Sequence, residues 1–106
     1  PNRLIFEKGA IVLRDRVSYS GDPAEAEQIL AIFLRRLNEM AVKQGVIPDP
    51  LQGTVGNLSA QSYYEAVNQL RRLKGEVEIT AVARTEVSSI GPLTIDILIR
   101  PILASP

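Results

Sequence analysis

A chain of 106 residues has the size of a single globular domain, and 45% apolar with 23% charged residues argues against disorder. Twelve basic residues balance twelve acidic ones, so no net charge attracts nucleic acid or an anionic membrane surface. Cysteine and histidine are both absent, which excludes disulfides, thiolate or imidazole metal ligands and the commonest catalytic base.

The first segment, from Leu4 to Tyr19, has the composition of two short strands. A reversal is predicted around Lys8-Gly9-Ala10, where a glycine separates the two apolar runs. In the second run apolar and polar residues alternate, except that Asp15 falls on the apolar side; the apolar positions are Ile11, Leu13, Val17 and Tyr19. We therefore expect a β-hairpin, followed by a turn into a helix.

A long amphipathic helix is predicted between Asp22 and Gly45. Asp22 suits the N-cap, Pro23 suits the first helical position, and Gly45 suits a left-handed residue that ends the helix. The apolar residues recur at steps of three and four and share one face: Ala26, Ile29, Leu30, Phe33, Leu34, Leu37, Met40 and Ala41. The rest of the domain must cover that face.

The next segment, from Val46 to Asn57, is too rich in proline and glycine for regular structure. Its Gly53-Thr54-Val55-Gly56 run has the spacing with which KH domains clamp a nucleic-acid backbone, but neither central residue is basic. We interpret these glycines as turn positions. A loop of this length is nevertheless often functional.

A second helix is predicted from Ser59, as its N-cap, to about Leu73, with Gly75 ending it. Its apolar side consists of Tyr63, Tyr64, Val67, Leu70 and Leu73. The adjacent tyrosines are expected to split, with one ring in the core and one along the surface.

Two half-exposed strands close the chain, from Glu76 to Val87 and from Leu93 to Ile99, because apolar and polar residues alternate in both. Residues 85–92 are too few for a parallel crossover, so the pair is predicted to be antiparallel, with Pro101 at its end or at an edge. The predicted fold is a single α+β domain over residues 1–106 with the order ββααββ. Its four-stranded, mainly antiparallel sheet carries both helices on one face.

No catalytic, cofactor-binding or metal-binding residues are predicted, and we do not expect an enzyme. Asp49 is interpreted as a turn residue, and Asp15 as a residue at a bulge or a sheet edge. Five cations could form a basic strip but are interpreted as solvated, with Glu39 and Glu65 as partners: Arg35, Arg36, Arg71, Arg72 and Lys74. The candidate site is an interaction loop of Pro48, Asp49, Pro50, Gly53, Thr54, Val55, Gly56 and Asn57.

Three stretches of this sequence resemble one bacterial family, common in cyanobacteria, known as domain of unknown function 3084. They are residues 2–9, residues 45–50 and residues 53–60, and residues 90–95 resemble its closing strand. The resemblance implies a C-terminal globular region of a membrane-anchored protein with a long coiled coil. Pro1 in place of Met is interpreted in the same way, as the start of a fragment.

The function expected from this resemblance is a non-enzymatic protein-interaction or structural module, without a cofactor and without direct membrane contact. A parent coiled coil would bring copies of the module together as a homo-oligomer. Two alternatives stay open: a weak nucleic-acid-binding module using the Gly53–Gly56 loop, and a small-ligand or enzymatic domain that works without histidine or cysteine. The sequence does not identify the partner, the process or the side of the membrane.

Overall fold

The computed structural model describes residues 2–48 and 56–103. The helices are α1 (Pro23–Gln44) and α2 (Ala60–Arg71), and the strands are β1 (Leu4–Phe6), β2 (Ile11–Tyr19), β3 (Gly56–Asn57), β4 (Gly75–Ala83), β5 (Val87–Ser88) and β6 (Leu93–Pro101). The predicted α+β class is confirmed. The predicted order ββααββ is incomplete, because it lacks the two-residue strands β3 and β5.

The main sheet has β4 at its centre, with β2 and β6 antiparallel on either side. The short β3 lies parallel to the start of β6, beside Leu93 and Thr94. β1 does not join this sheet but pairs with β5 in a separate two-stranded one. The prediction of a four-stranded, mainly antiparallel sheet is therefore correct only in part: three long strands are antiparallel, and the fourth position is taken by the short parallel β3 and not by the first strand.

The turn between β1 and β2 explains why these strands do not form the predicted hairpin. The N–H of Ala10 donates to the carbonyl of Glu7 at 3.0 Å, and Gly9, at the third position of this turn, has a φ of +86°. Lys8 has a negative φ, so the turn is of type II. Such a turn splays the flanking strands instead of matching their twist.

A β-bulge at the start of β2 changes which residues of this strand are buried. Ile11 pairs with Val82 and Leu13 with Ala81, so Val12 is an extra residue. Val12 and Leu13 are both buried, whereas Ile11 is 49% exposed. The predicted alternation therefore holds only from Leu13 onward.

Both helices pack on the same face of the main sheet, as the amphipathic patterns predict. α1 contacts β2 and α2, and α2 contacts β6. The buried cluster joins the core side of β4 to one stripe of each helix: Val77, Ile79, Ala81 and Ala83 with Ala26, Leu30, Phe33, Leu37, Ala41, Ala66, Val67 and Leu70. The opposite face of the sheet, called the outer face below, carries the other residues of each strand.

The ends of α1 and the start of α2 follow from local chemistry. Asp22 Oδ1 accepts from the N–H of Ala24 at 3.0 Å, and Ser59 Oγ accepts from the N–H of Ser62 at 3.1 Å. Gly45 has a φ of +115° and donates its N–H to Val42, which ends α1 at the predicted residue. The second helix ends earlier than predicted, with Arg72 as its C-cap.

The β1–β5 pair is joined to the end of α1 through Ser89. The N–H of Ser89 donates to the carbonyl of Arg3 at 2.8 Å, and the carbonyl of Ser89 accepts from the N–H of Ile47 at 2.7 Å. Val46, the residue before Ile47, is buried. These contacts, and not a tight hairpin, determine where β1 lies.

Candidate functional site

The predicted interaction loop lies mostly outside the described residues: Asp49, Pro50, Gly53, Thr54 and Val55. Pro48 is half-buried at the last described position before the gap. Gly56 and Asn57 form β3, so Gly56 lies in a strand and not in the turn predicted for it. The interaction role of this loop therefore stays a prediction.

The two adjacent tyrosines split as predicted. Tyr63 packs against the core cluster, whereas Tyr64 is 60% exposed. Their ring centroids are 5.7 Å apart with an interplanar angle of 72°, which is an edge-to-face contact. Tyr63 is therefore a packing residue, held by the aromatic ring beside it.

Two of the five cations that could have formed a basic strip are held in ion pairs. Arg36 Nη1 donates to Asp15 Oδ2, and Arg71 Nη2 lies 3.9 Å from Glu27 Oε2. These partners differ from the predicted Glu39 and Glu65, because α1 crosses β2 and the start of α1 adjoins α2. Cations held in pairs offer less to a phosphate backbone than free ones.

Asp15 is predicted to lie at a bulge or at a sheet edge, and it lies in β2, an edge strand of the main sheet. It pairs in the ladder with Ile79 and faces the helices, where its side chain is only 11% exposed. The guanidinium of Arg36 reaches it from α1. The carboxylate is therefore engaged in structure and has no second acidic residue beside it in these contacts.

The described parts of the chain contain neither a metal-binding cluster nor a membrane-spanning helix. Within residues 2–48 and 56–103, acidic side chains do not gather in groups that could hold a metal ion. Over the same residues, neither α1 nor α2 is apolar enough over a sufficient length to cross a membrane.

Among the residues that the structure describes, no strand pairs with the outward side of β6 beyond Thr94. In an antiparallel ladder each residue directs its N–H and C=O to the same neighbour, and successive residues alternate. The carbonyl of Thr94 accepts from the N–H of Arg84, and the N–H of Ile102 donates to the carbonyl of Glu76. The even-numbered residues of β6 therefore form the backbone hydrogen bonds to β4. Ile97 and Ile99 therefore direct their N–H and C=O away from the sheet.

The open part of β6 runs from Asp96 to Pro101 and is called the free edge below. It starts where β3 ends, since β3 adjoins only Leu93 and Thr94. It ends at Pro101, whose missing N–H would also point outward, so β4 loses no hydrogen bond there. Over residues 2–48 and 56–103, β6 has no further neighbouring strand beside this edge.

The opposite edge of the sheet, on β2, carries the features that prevent a further strand from pairing. It has the bulge at Val12, the inward-pointing charge of Asp15, and Arg14 and Arg16 along the outside. Arg14 and Arg16 also lie 3.7 and 3.8 Å from Glu78 and Glu76. Both edges carry charged residues on the outer face, but β2 also has a bulge and an inward-pointing charge, which β6 lacks.

Side chains flank the free edge on both faces. On the helix side, Ser62, Glu65 and Gln69 of α2 line a hollow of about 270 Å³ with residues 95–98. On the outer face, Leu98 is 58% exposed between two charged residues of the same strand, Asp96 and Arg100. An added strand would contact polar groups of α2 on one side and a leucine on the other.

The charged residues on either side of Leu98, Asp96 and Arg100, form hydrogen bonds with Arg84 and Glu78. Arg84 Nε donates to Asp96 Oδ1 at 2.9 Å, and Arg100 Nε donates to Glu78 Oε1 at 2.9 Å. The hydrogen bond from Arg100, with the charges of Arg100 and Arg14, lowers the pKa of Glu78. Both side chains are therefore ion-paired beside the edge, although Arg100 is 72% exposed.

The sequence predicts Pro101 at the end of the strand pair or at an edge, but it does not identify the free edge of β6 because it leaves the strand order undetermined. The sequence contains one indication of this edge. Ile97 and Ile99 pack on the core, and Pro101 continues the same two-residue spacing, so its backbone nitrogen lies on the same side of β6 as theirs. A proline at that phase is tolerated only where the N–H points away from a partner.

Comparison with models of protein families relates the chain to one known family. A family model described as the DUF3084-associated C-terminal helical hairpin matches residues 6–100. Comparison with curated proteins and with solved structures gave no match. The described hairpin fits α1 and α2, which contact each other, and the structure adds the sheet on which they pack. The chain therefore belongs to the DUF3084-associated C-terminal domain family.

Proposed function

We propose that this domain is a non-enzymatic protein-interaction module that takes an extended polypeptide segment at the free edge of β6. The observation that carries the proposal is the contrast between the two edges of the sheet. β2 carries a bulge, an inward-pointing charge and two arginines, whereas β6 presents the backbone groups of Ile97 and Ile99. Natural sheets that avoid pairing usually protect both edges.

Strand addition would use the backbone for affinity and the flanking side chains for selectivity. The N–H and C=O of Ile97 and Ile99 supply the hydrogen bonds. Alternate side chains of the bound segment would face Gln69 and Glu65 of α2 on one side and Leu98 on the other. This division follows from the two-residue period of a strand.

We also propose that the module is the head of a membrane-anchored coiled-coil protein. The support for this context is the family resemblance of the sequence. A coiled coil would hold several copies near one another and raise their local concentration, so that even a weak edge contact would be occupied.

The two alternative functions have less support. Nucleic-acid binding through the Gly53–Gly56 loop would need unpaired cations, but Arg36 and Arg71 have acidic partners. Small-ligand sites are lined predominantly by apolar side chains, whereas the hollow beside β6 is lined largely by polar ones, among them Glu65, Gln69 and Arg84.

The experiment uses a photo-reactive benzophenone amino acid at Gln69, expressed in a cell of the source organism. Gln69 lines the hollow beside the free edge, and the same label at the exposed Arg35 of α1 is the control. We expect protein adducts from the label at Gln69 that the label at Arg35 does not give. Ile97→Pro removes the outward N–H and should abolish these adducts.

The matched variant is Ile97→Ala, which loses the same side chain but keeps the N–H. Adducts should persist in Ile97→Ala, provided that circular dichroism shows both variants to be folded. Equal adducts from both labels, or equal adducts in both variants, would show that the free edge is not the binding surface.

A further inference from the structure

We infer that the segment that fills the free edge of β6 is β6 of a second copy of this chain, paired antiparallel across a twofold axis at Leu98. This inference rests on the proposed function and names its partner. The result would be one continuous sheet through both copies, with all four helices on the same face, because an axis perpendicular to a sheet preserves its faces.

The charges along the strand favour an antiparallel copy. Asp96 and Arg100 both lie on the outer face, one on each side of Leu98. An antiparallel copy centred on Leu98 places Asp96 opposite Arg100 of the second copy, and the reverse. A parallel copy in the same register would place like charges opposite each other, which is unfavourable.

The same register uses the free backbone groups. With the axis at Leu98, Ile97 and Ile99 lie opposite Ile99 and Ile97 of the second copy. These are the residues that direct N–H and C=O outward, so they form the hydrogen-bonded pairs of the new ladder. Moving the axis to Ile97 would instead bring Ile95 into the ladder, next to β3.

Leu98 gains an apolar neighbour in this arrangement. It is 58% exposed, and it lies with Ile11, Thr80 and Val82 around an outer-face hollow of about 340 Å³. At the axis the two leucines form a non-hydrogen-bonded pair, in which side chains are closest. Burial of exposed leucine surface favours association.

The length of the contact is set by the two ends of the free edge. Pairing spans residues 96–100. In this register Ile102 would come opposite Thr94 of the other copy, which β3 adjoins, so the hydrogen bond from the N–H of Ile102 to Glu76 has to open and the chain after Pro101 has to bend away. Pro101, which offers no outward N–H, is suited to that end. The contact is therefore short, and we expect an affinity weaker than that of an obligate dimer.

Introduced cysteines test the arrangement directly, because the chain contains none. In a non-hydrogen-bonded antiparallel pair the Cα atoms are about 4.5 Å apart, within the range that a disulfide bridges. We expect Leu98→Cys to form a covalent dimer on mild oxidation. Ile11→Cys is the control, since Ile11 is 49% exposed on the same face but lies on the protected β2.

The register has its own test. In the inferred dimer, residue 96 of one copy is opposite residue 100 of the other, so Asp96→Cys alone leaves its two thiols more than about 13 Å apart. We expect little crosslinking in Asp96→Cys or Arg100→Cys alone and strong crosslinking in their mixture. Strong crosslinking in either variant alone would contradict an axis at Leu98.

Sedimentation equilibrium of the unmodified chain gives the matching non-covalent result. The mass should rise with concentration, and Leu98→Lys, which places two cations together at the axis, should raise the dimer Kd by about tenfold or more. Ile11→Lys should leave the Kd unchanged. A chain that stays monomeric at about 1 mM, with Leu98→Cys crosslinking no faster than Ile11→Cys, overturns the inference.

These results also separate the two proposals. The purified chain could be monomeric while the Gln69 label still captures a different protein, with adducts that Ile97→Pro abolishes and Ile97→Ala keeps. In that case the second copy is the wrong partner and the proposed function stands. If the label captures nothing beyond the control, the proposed function is wrong as well.

Discussion

The ion pair between Asp15 and Arg36 gives the sharpest prediction about stability. Asp15 faces the helices beside Ile79, with its side chain 11% exposed, and Arg36 reaches it from α1 with its own side chain 52% exposed. Arg36→Met keeps the aliphatic stem and leaves a largely buried carboxylate without its cation. A fully buried unpaired charge costs about 3–5 kcal/mol, and partial solvent access lowers our expectation to about 1–3 kcal/mol.

The opposite change should behave differently. Asp15→Val removes the charge that needs a partner and places a strand-favouring side chain beside Ile79, so we expect a free energy of unfolding within about 1 kcal/mol of the wild type, or higher. Asp15→Val combined with Arg36→Met should resemble Asp15→Val alone. Urea unfolding followed by circular dichroism measures all three, with the exposed Arg35→Met as the matched control. A loss in Arg36→Met no larger than in Arg35→Met would refute this reasoning.

Three further predictions concern the core, the outer face and the first turn. Leu30 is fully buried in α1, so Leu30→Ala should lower the free energy of unfolding of the domain by about 2–5 kcal/mol in the same urea assay. Ile32 is half-exposed, so Ile32→Ala should lower it by less than about 1 kcal/mol. The pKa of Glu78 is lowered in the folded state, so its ionised carboxylate stabilises the fold. This stabilisation is complete above the ordinary glutamate pKa of about 4.3, and it is lost as the pH falls through the lower pKa of the folded state. Glu78→Gln should therefore flatten the acid limb of a plot of urea midpoint against pH, and an unchanged limb would contradict the assignment. Gly9→Ala should lower the free energy of unfolding by about 1–2 kcal/mol because of its φ of +86° alone, since an added Cβ meets no atom within 4 Å. Thermal unfolding tests this, with Ala10→Gly as the control. An unchanged stability in Gly9→Ala would argue against a type II turn.

The parts of the fold that local chemistry determines could be predicted from the sequence. The bounds of α1 follow from Asp22, Pro23 and Gly45, and its buried stripe follows from the spacing of apolar residues. The N-cap of α2 and the split of the two tyrosines are local in the same sense. Each depends on residues within a few positions along the chain.

Features that depend on distant pairing could not be predicted. The partner of β1 is fixed by hydrogen bonds between Arg3 and Ser89, far apart in sequence, and β5 is too short to show a periodic pattern. The bulge at Val12 has no composition signal, since Ile11, Val12 and Leu13 are all apolar. The free edge of β6 follows from strand order, which alternating residues do not encode.

Amide hydrogen exchange at Ile97 and Ile99, measured by NMR at several protein concentrations, tests whether the edge of β6 is free in one copy and filled by a second. These N–H groups point away from the sheet, whereas those of Leu98 and Arg100 bond to β4. We predict fast exchange at Ile97 and Ile99 in dilute solution and protection that grows with concentration, while Leu98 and Arg100 stay protected throughout. Strong protection of Ile97 and Ile99 at every dilution would mean that the edge is already filled within one chain, and would contradict the account.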